Sequence, residues 1–370
     1  MSNPVKPLIL LAAGGTGGHL FPAEALAGAL VARGFRVDLA TDDRARRYAD
    51  AFPAGAMHVL PAETVRGRSP LALAKTAWAL GTGLLSALAL LHRLKPAAVV
   101  GFGGYPTLPP LIAARILGVP TLIHEANGVM GRANRLLASR VSAIATGFPD
   151  LVSAEPELAR KAVWTGNPLR PAVIAAAGTP YPDPSGTLGL LVFGGSQGAR
   201  VMSDIVPDAL LRLPPDLRAR LRVVQQAREE DITRVRAAYD TAGVAAEIAP
   251  FFKDLPARMA AAHLVISRSG ALTVAELAAI GRPAILVPLP NALDQDQAAN
   301  ARSLQKIGGA ELILQDRFTP DHLAAVLARL CADGGALTDM ARAARSAGTL
   351  DAADRLADAV ARLARGAPVT

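Results

Sequence analysis

A chain of 370 residues, 51% of them hydrophobic, is long enough for two domains of ordinary size, each with its own core, and would be unusually large as one. A single cysteine, Cys331, excludes an intramolecular disulfide framework or a cysteine zinc cluster and fits a reducing, cytosolic compartment. The net charge of +8 is uneven, with 17 Lys and Arg against 10 Asp and Glu in residues 1–163 and 22 against 21 thereafter. The first half is therefore expected to meet an anion: nucleic acid, a phospholipid surface or a diphosphate. Nucleic acid is disfavoured, since no Lys/Arg-dense run is interleaved with aromatics, which make up only 4% of the chain. Solubility charge is the plain alternative.

In chain order, the apolar run at 8–13 predicts a strand; it lies too near the start, and ends in glycines, to be a secretory signal. The turn Gly14-Gly15-Thr16-Gly17-Gly18-His19 follows. Strand, glycine turn and helix together present unpaired N–H groups and the positive end of a helix dipole to an anion. Against the dinucleotide pattern G-x-G-x-x-G the run gives Gly15 and Gly17 but then Leu20, which weakens a nicotinamide-dependent oxidoreductase reading. Asp42, near the end of the second strand, keeps that reading open as a ribose-binding acid. The Walker pattern fails, because no Lys-Ser or Lys-Thr follows. His19 at the helix mouth is a candidate general base, or equally a histidine satisfying a local hydrogen bond.

Further strands are predicted at 36–40, 57–61, 97–101, 121–124, 143–146 and 162–165. Most are continuous apolar runs separated by helical patterns, which is how strands buried on both faces of a parallel sheet read. Between residues 70 and 91 lies an apolar stretch containing Leu71, Leu73, Lys75 and Trp78. Lys75, Gly81 and Gly83 argue against a membrane span, leaving peripheral attachment or a buried crossover helix. Gly101-Phe102-Gly103-Gly104-Tyr105-Pro106 is a second glycine turn able to cradle an anion. His124-Glu125-Ala126-Asn127-Gly128 opens a polar loop after a strand. Glu125 there could orient a substrate hydroxyl or pair with Arg132 or Arg135.

Prolines and glycines at 165–171 and 178–186 mark a linker. The pattern then repeats, with strands predicted at 188–193, 222–226, 245–250, 263–267, 284–289 and 311–314. The first of these runs into Gly194-Gly195-Ser196-Gln197-Gly198-Ala199-Arg200. Ser267 to Glu276 places Gly270 at a helix start, so Ala271, Leu272 and Thr273 can offer N–H groups to phosphate while Glu276 takes ribose hydroxyls. A cap by Ser269 or Thr273 would explain part of this without a ligand. Asp294, Gln295, Asp296 and Gln297 follow a strand end and can read sugar hydroxyls. The fold class expected is α/β: two Rossmann-like, doubly wound parallel-sheet domains facing across a cleft, where both glycine turns point. Boundaries are expected at 1–166 and 167–350, with an amphipathic helix in 351–370 packing back on the first domain.

Taken together, these motifs, with Gly166-Asn167-Pro168-Leu169-Arg170 and the run from Asp294 to Ala301, occur in one order from Leu8 to about Leu363. They closely resemble the MurG family, the bacterial UDP-N-acetylglucosamine:undecaprenyl-diphospho-muramoyl-pentapeptide N-acetylglucosaminyltransferases. The resemblance implies a GT-B architecture and inverting transfer of GlcNAc from UDP-GlcNAc to the C4 hydroxyl of lipid I, making lipid II for peptidoglycan. It implies no cofactor and no metal, and a peripheral place on the cytoplasmic face of the bacterial inner membrane. By motif, Thr16, Gly17, Gly18 and Asn127 would line the first domain's site, with His19 at the reacting centre and Glu125 or Asn127 sharing its task. Arg170 and Ser196 would meet the diphosphate, Phe252 would border the uracil, Ala271 to Thr273 would approach the phosphates, Glu276 would hold the ribose and Gln297 would read GlcNAc. Leu71, Leu73, Lys75 and Trp78 would meet an anionic phospholipid surface. The chain departs from the family pattern at Ala126, at Asp296 and at Gln225-Gln226-Ala227.

Overall fold

The computed structural model describes residues 6–45, 52–61, 70–195, 198–290, 295–332 and 334–369; side chains at 70–77, 79 and 80 lie outside that description. The chain divides into two compact units, residues 1–170 with 350–370, and residues 171–349.

The first unit runs β1 (Leu8–Ala12), α1 (Gly17–Ala32), β2 (Arg36–Thr41), β3 (Met57–Val59), α2 (Pro70–Leu94), β4 (Ala98–Gly101), α3 (Leu108–Ile116), β5 (Thr121–Glu125), α4 (Arg132–Ala138), β6 (Ala143–Thr146), α5 (Pro156–Ala159) and β7 (Ala162–Trp164). Its sheet has the order β3-β2-β1-β4-β5-β6-β7, parallel at every pairing. Alternation along β1 explains the layering, since successive side chains leave opposite faces of a strand. Ile9 and Leu11 join Leu20, Leu26 and Leu30 of α1 in one core cluster. Leu10 faces the other way, with Leu90 and Leu91 of α2, Leu111 of α3 and Leu137 of α4. Gly83 lets α2 approach the segment after β3, for a Cβ there would overlap the Pro61 carbonyl.

In the second unit the order is α6 (Pro171–Ala177), β8 (Leu188–Phe193), α7 (Arg200–Leu211), α8 (Pro215–Arg220), β9 (Leu221–Gln226), α9 (Ile232–Ala242), β10 (Ala245–Ala249), α10 (Leu255–Ala261), β11 (Leu264–Ser267), α11 (Ala271–Ile280), β12 (Ala284–Leu286), α12 (Asp296–Lys306), β13 (Ala310–Leu312), α13 (Pro320–Ala332) and α14 (Gly334–Ser346). Its parallel sheet has the order β10-β9-β8-β11-β12-β13. Leu190 and Val192 pack with Met202 and Val206 of α7, Tyr239 of α9 and Leu327 of α13. The run expected at 284–289 is strand only to Leu286. The chain ends in α15 (Ala352–Ala364), whose Leu356, Val360 and Leu363 enter the core of the first unit beside α1. Arg33 closes that seam with ion pairs of 2.9 Å to both Asp354 and Asp358.

Both sheets reverse direction of growth once, between β1 and β4 and between β8 and β11. In open α/β sheets the loops at the carboxyl ends of the strands flanking such a point diverge and leave a crevice for ligand.

Candidate functional site

In the first unit, the loops after β1 and β4 meet around His19. Thr16 precedes α1 in extended conformation and its side chain makes no cap. The N–H groups of Gly17 and Gly18 open the helix and have no intrahelical acceptor. Thr16 Oγ1 is hydrogen-bonded to His19 Nδ1 at 3.0 Å. The ring is packed by glycines on two sides: a Cβ on Gly14 would stand 3.1 Å from Nδ1, and one on Gly104 3.3 Å from Cε1. Gly103 and Gly104 have φ of 88° and 79°, which L side chains rarely adopt. Burial and the Arg44 charge push the imidazole down to about 4, with Asp42 opposing. His19 is therefore neutral at pH 7 and able to accept a proton, and part of it stays exposed.

The loop after β5 is organised by Glu125, and the role expected for that residue changes. Its carboxylate is 2% exposed and takes four amide donors. Oε1 accepts from the Asn127 N–H at 3.0 Å and Nδ2 at 3.1 Å, and Oε2 from the Gly131 N–H at 2.9 Å and Asn134 Nδ2 at 2.8 Å. A carboxylate so occupied shapes the loop and is not placed to take a proton from substrate. Its partners are amides, while Arg135 donates to the Met130 carbonyl. His124, from the same motif, is 1% exposed, and its Nε2–H donates to the Gly166 carbonyl at 3.1 Å. Asn167 Nδ2 donates to the Ala126 carbonyl. The Gly-Asn-Pro-Leu-Arg segment is thereby tied to the loop that carries Asn127. Arg170 ends the unit with its guanidinium 4.4 Å from the Phe21 ring centre.

Asp42 was open to a ribose-binding role. Its carboxylate is instead taken up by the Gly15 N–H at 3.3 Å, the Arg44 N–H at 2.9 Å and the Arg44 guanidinium at 2.6–3.1 Å.

In the second unit, Phe193 of β8 pairs with Ser267 of β11, so the glycine turn after β8 and the start of α11 lie side by side. Gly195 and Gly198 have φ of 87° and 66°, and a Cβ on Gly194 would overlap the Ala199 nitrogen. Ser196 lies outside the described residues. Gly270 precedes α11 and no side chain caps it, which leaves the N–H groups of Ala271, Leu272 and Thr273 without intrahelical acceptors. The alternative of a Ser269 cap is removed, because its hydroxyl donates to the Gln297 carbonyl at 2.8 Å. Glu276 is 7% exposed in α11. Gln297 uses its amide oxygen to accept from the Leu289 N–H at 2.9 Å, so its NH₂ is the part that can donate to a sugar hydroxyl. Asp296 accepts from the Gln297 N–H, a turn contact at the start of α12.

Phe252, expected to border the uracil, has a buried ring. It is 7% exposed, whereas Phe251 is 61% exposed, and Arg258 lies 4.3 Å over the Phe252 ring. A base at this loop can meet the main chain of Phe252 and the side chain of Phe251. Gln226, met in the sequence only as part of a departure from the family pattern, has a bracing role that the sequence did not show. Its Oε1 accepts from the Gly194 N–H at 3.1 Å while its Nε2 donates to the Pro250 carbonyl at 3.2 Å. One amide thus braces the glycine turn against the Phe251-Phe252 loop; in the sequence it was a polar residue ending a strand, within a run that departs from the family pattern. Among the described residues no cluster of three or more His, Cys, Asp or Glu could hold a metal.

The surface of α2 is only partly described: Leu71, Leu73 and Lys75 have no described side chains. Trp78 is 75% and Leu85 69% exposed, and with Ala89 and His92 they follow helical spacing along one face. Ile116 on α3, which packs on α2, is also exposed. Among the described residues no helix is long and apolar enough to cross a membrane.

Residues 9–146 match the glycosyltransferase family 28 N-terminal domain and residues 189–356 the glycosyltransferase family 28 C-terminal domain. A Rhodopseudomonas palustris (strain BisB18) protein is 62% identical over 97% of this chain and 96% of its own length. It is named UDP-N-acetylglucosamine--N-acetylmuramyl-(pentapeptide) pyrophosphoryl-undecaprenol N-acetylglucosamine transferase. A Nitrobacter hamburgensis protein of the same name is 61% identical over 97% and 98% of the two chains. The crystal structure of Acinetobacter baumannii MurG superposes with a TM-score of 0.79 at 30% identity, covering 96% of this chain and 99% of that one. A UDP-GlcNAc 2-epimerase from Neisseria meningitidis shares the fold alone, with a TM-score of 0.69 at 13% identity over 96% of this chain and all of that one. With two switch-point sites of this construction and matches over both halves, the chain belongs to glycosyltransferase family 28.

Proposed function

We propose that this chain is the inverting N-acetylglucosaminyltransferase that moves GlcNAc from UDP-GlcNAc to the C4 hydroxyl of undecaprenyl-diphospho-MurNAc-pentapeptide, lipid I, to give lipid II for peptidoglycan. The observation that carries this reading is the 62% identity, over nearly the whole of both chains, to a relative named for that reaction. The geometry of the two sites is compatible with it. In the second unit the uncapped start of α11 and the adjacent glycine turn suit a diphosphate, Glu276 a ribose, the Phe251-Phe252 loop a uracil and the Gln297 NH₂ a sugar hydroxyl. In the first unit Thr16, Gly17, Gly18 and Asn127 serve the acceptor and His19 takes the proton of the attacking hydroxyl. Attack on the anomeric carbon from the face opposite UDP leaves charge on the β-phosphate. Fixed N–H dipoles stabilise such charge without reorganising, with Arg170 and Ser196 as further diphosphate contacts.

A lipid-linked acceptor calls for a peripheral position on the cytoplasmic face of the inner membrane. The exposed Trp78 and Leu85 on α2, with Leu71, Leu73 and Lys75 on the same helix, supply the apolar and cationic elements of an anionic phospholipid contact. The experiment is a panel of UDP-sugars with a water-soluble short-chain lipid I analogue. UDP-GlcNAc should be the preferred donor, and UDP release should depend on acceptor. A different preferred sugar, which Asp296 would then be suspected of selecting, or release indifferent to acceptor, contradicts the reading.

A further inference from the structure

The carboxyl end of β2 is wedged against the glycine turn that carries His19. Asp42 is 7% exposed, and its carboxylate receives the Gly15 N–H on Oδ2 together with a bidentate Arg44 guanidinium, Nε to Oδ1 and Nη2 to Oδ2. No side chain fits at Gly15, for a Cβ would overlap Asp42 Oδ1 and come within 2.7 Å of both Arg44 Cβ and the Ala45 nitrogen. Two more bonds hold the same junction: the Thr41 hydroxyl donates to the Ala13 carbonyl at 2.8 Å, and the Ala13 N–H to the Ala40 carbonyl at 3.1 Å. Thr16, next in the turn, holds the His19 ring.

We propose that Asp42 and Arg44 are positioning residues for the transfer, an ion pair that fixes the turn bearing His19 and sets the electrostatic potential at its ring. The inference rests on the reading of His19 as the acceptor base. Around the imidazole stand the Thr16 hydroxyl on its own turn, the uncharged backbones of Gly14 and of Gly103 and Gly104, and the Asn134 amide close to Gly103. Asp42 and Arg44 are the charged groups that act on it among the described residues. Burial is the main reason the imidazolium is disfavoured; Arg44 adds to this and Asp42 subtracts from it. Burial would raise the Asp42 carboxyl, but its hydrogen bonds from Arg44 and Gly15 lower it on balance, so the pair stays charged through the working pH range. A carboxylate that in many folds of this class reads a ribose is spent here on the turn itself.

The two partners act on the ring with opposite sign, which a purely structural role would not do. The His19 ring proton resonance is followed by NMR titration of the full-length protein and assigned by its loss in His19→Gln. Arg44→Gln should move the midpoint to higher pH and Asp42→Asn to lower pH. Arg44→Lys, which keeps the charge but loses the bidentate fork, should leave the midpoint near that of the wild type while lowering kcat. Midpoints that do not move, or move the same way in Arg44→Gln and Asp42→Asn, overturn the proposal. The acid limb of kcat/KM should follow each midpoint. If the midpoints separate as stated and the acid limb does not follow, the effect of the pair on the ring stands and the base role of His19 is refuted.

Discussion

His19, in the first turn of α1, and His124, near the end of β5, are both pushed down to about 4 chiefly by burial, and they serve different ends. His19 is a partly exposed residue beside a glycine turn; His124 is sealed and spends its Nε2–H on the Gly166 carbonyl. Replacing His19 by Ala should lower kcat by about 10²- to 10⁴-fold while UDP affinity, which the proposed function assigns to the other unit, stays unchanged in calorimetry. A loss under tenfold would remove it from the base role. For His124 the consequence is stability. An unfolded histidine titrates near 6.5 and this one near 4, so the unfolded chain binds the extra proton between those values. Stability is then fully present above about pH 6.5 and is lost as the pH falls toward 4, by roughly 3 kcal/mol for a sealed imidazole. Urea denaturation at pH 7.5 and 4.5 should reveal this slope, and His124→Gln should lessen it, leaving the share of His19, which burial lowers in the same way; an equal slope in the variant contradicts the assignment. The sequence showed that polar residues cluster after β5, but not that Glu125 is saturated by four amides. Those donors come from up to nine positions away, and no local pattern announces them.

At the level of elements, most strands were legible, because long apolar runs between helical crossovers leave few alternatives in a parallel sheet. The helix α15 was legible too, since its Leu356, Val360 and Leu363 share one stripe. What the pattern could not supply was the use of single side chains between elements. Phe252 turns inward, with Arg258 over its ring, while Phe251 turns out. Gln226, at the end of β9, joins two loops that are 56 residues apart in sequence by the numbering of Gly194 and Pro250. Removing both of its hydrogen bonds in Gln226→Leu should raise KM for UDP-GlcNAc about 5- to 30-fold, the equivalent of about 1–2 kcal/mol, with little change in kcat. An unchanged KM would show that the brace does not support the nucleotide loop. On α2, Trp78→Glu combined with Leu85→Glu should weaken binding to anionic vesicles by at least about tenfold with circular dichroism unchanged; intact binding would contradict a lipid contact on this helix.

Across the whole molecule, the same rule of sheet growth operates twice and yields two switch points, each furnished with a glycine turn. Their features differ: the first unit carries the imidazole and the amide-lined loop, the second the uncapped helix start and the braced Phe251-Phe252 loop. The division was legible because both glycine turns follow apolar strands and a proline-rich segment separates the halves. The identity of the groups that hold each turn in place, Asp42 and Arg44 in one unit and Gln226 in the other, was not, because each depends on which strands the topology makes neighbours. The central claim, inverting transfer of GlcNAc to lipid I, is tested most directly by the linkage in the product. With UDP-GlcNAc and a soluble lipid I analogue, NMR of the purified disaccharide product should show a β-linkage to the C4 oxygen of MurNAc, with one UDP released per sugar transferred. An α-linked product, attachment at another hydroxyl, or UDP released without transfer would contradict it.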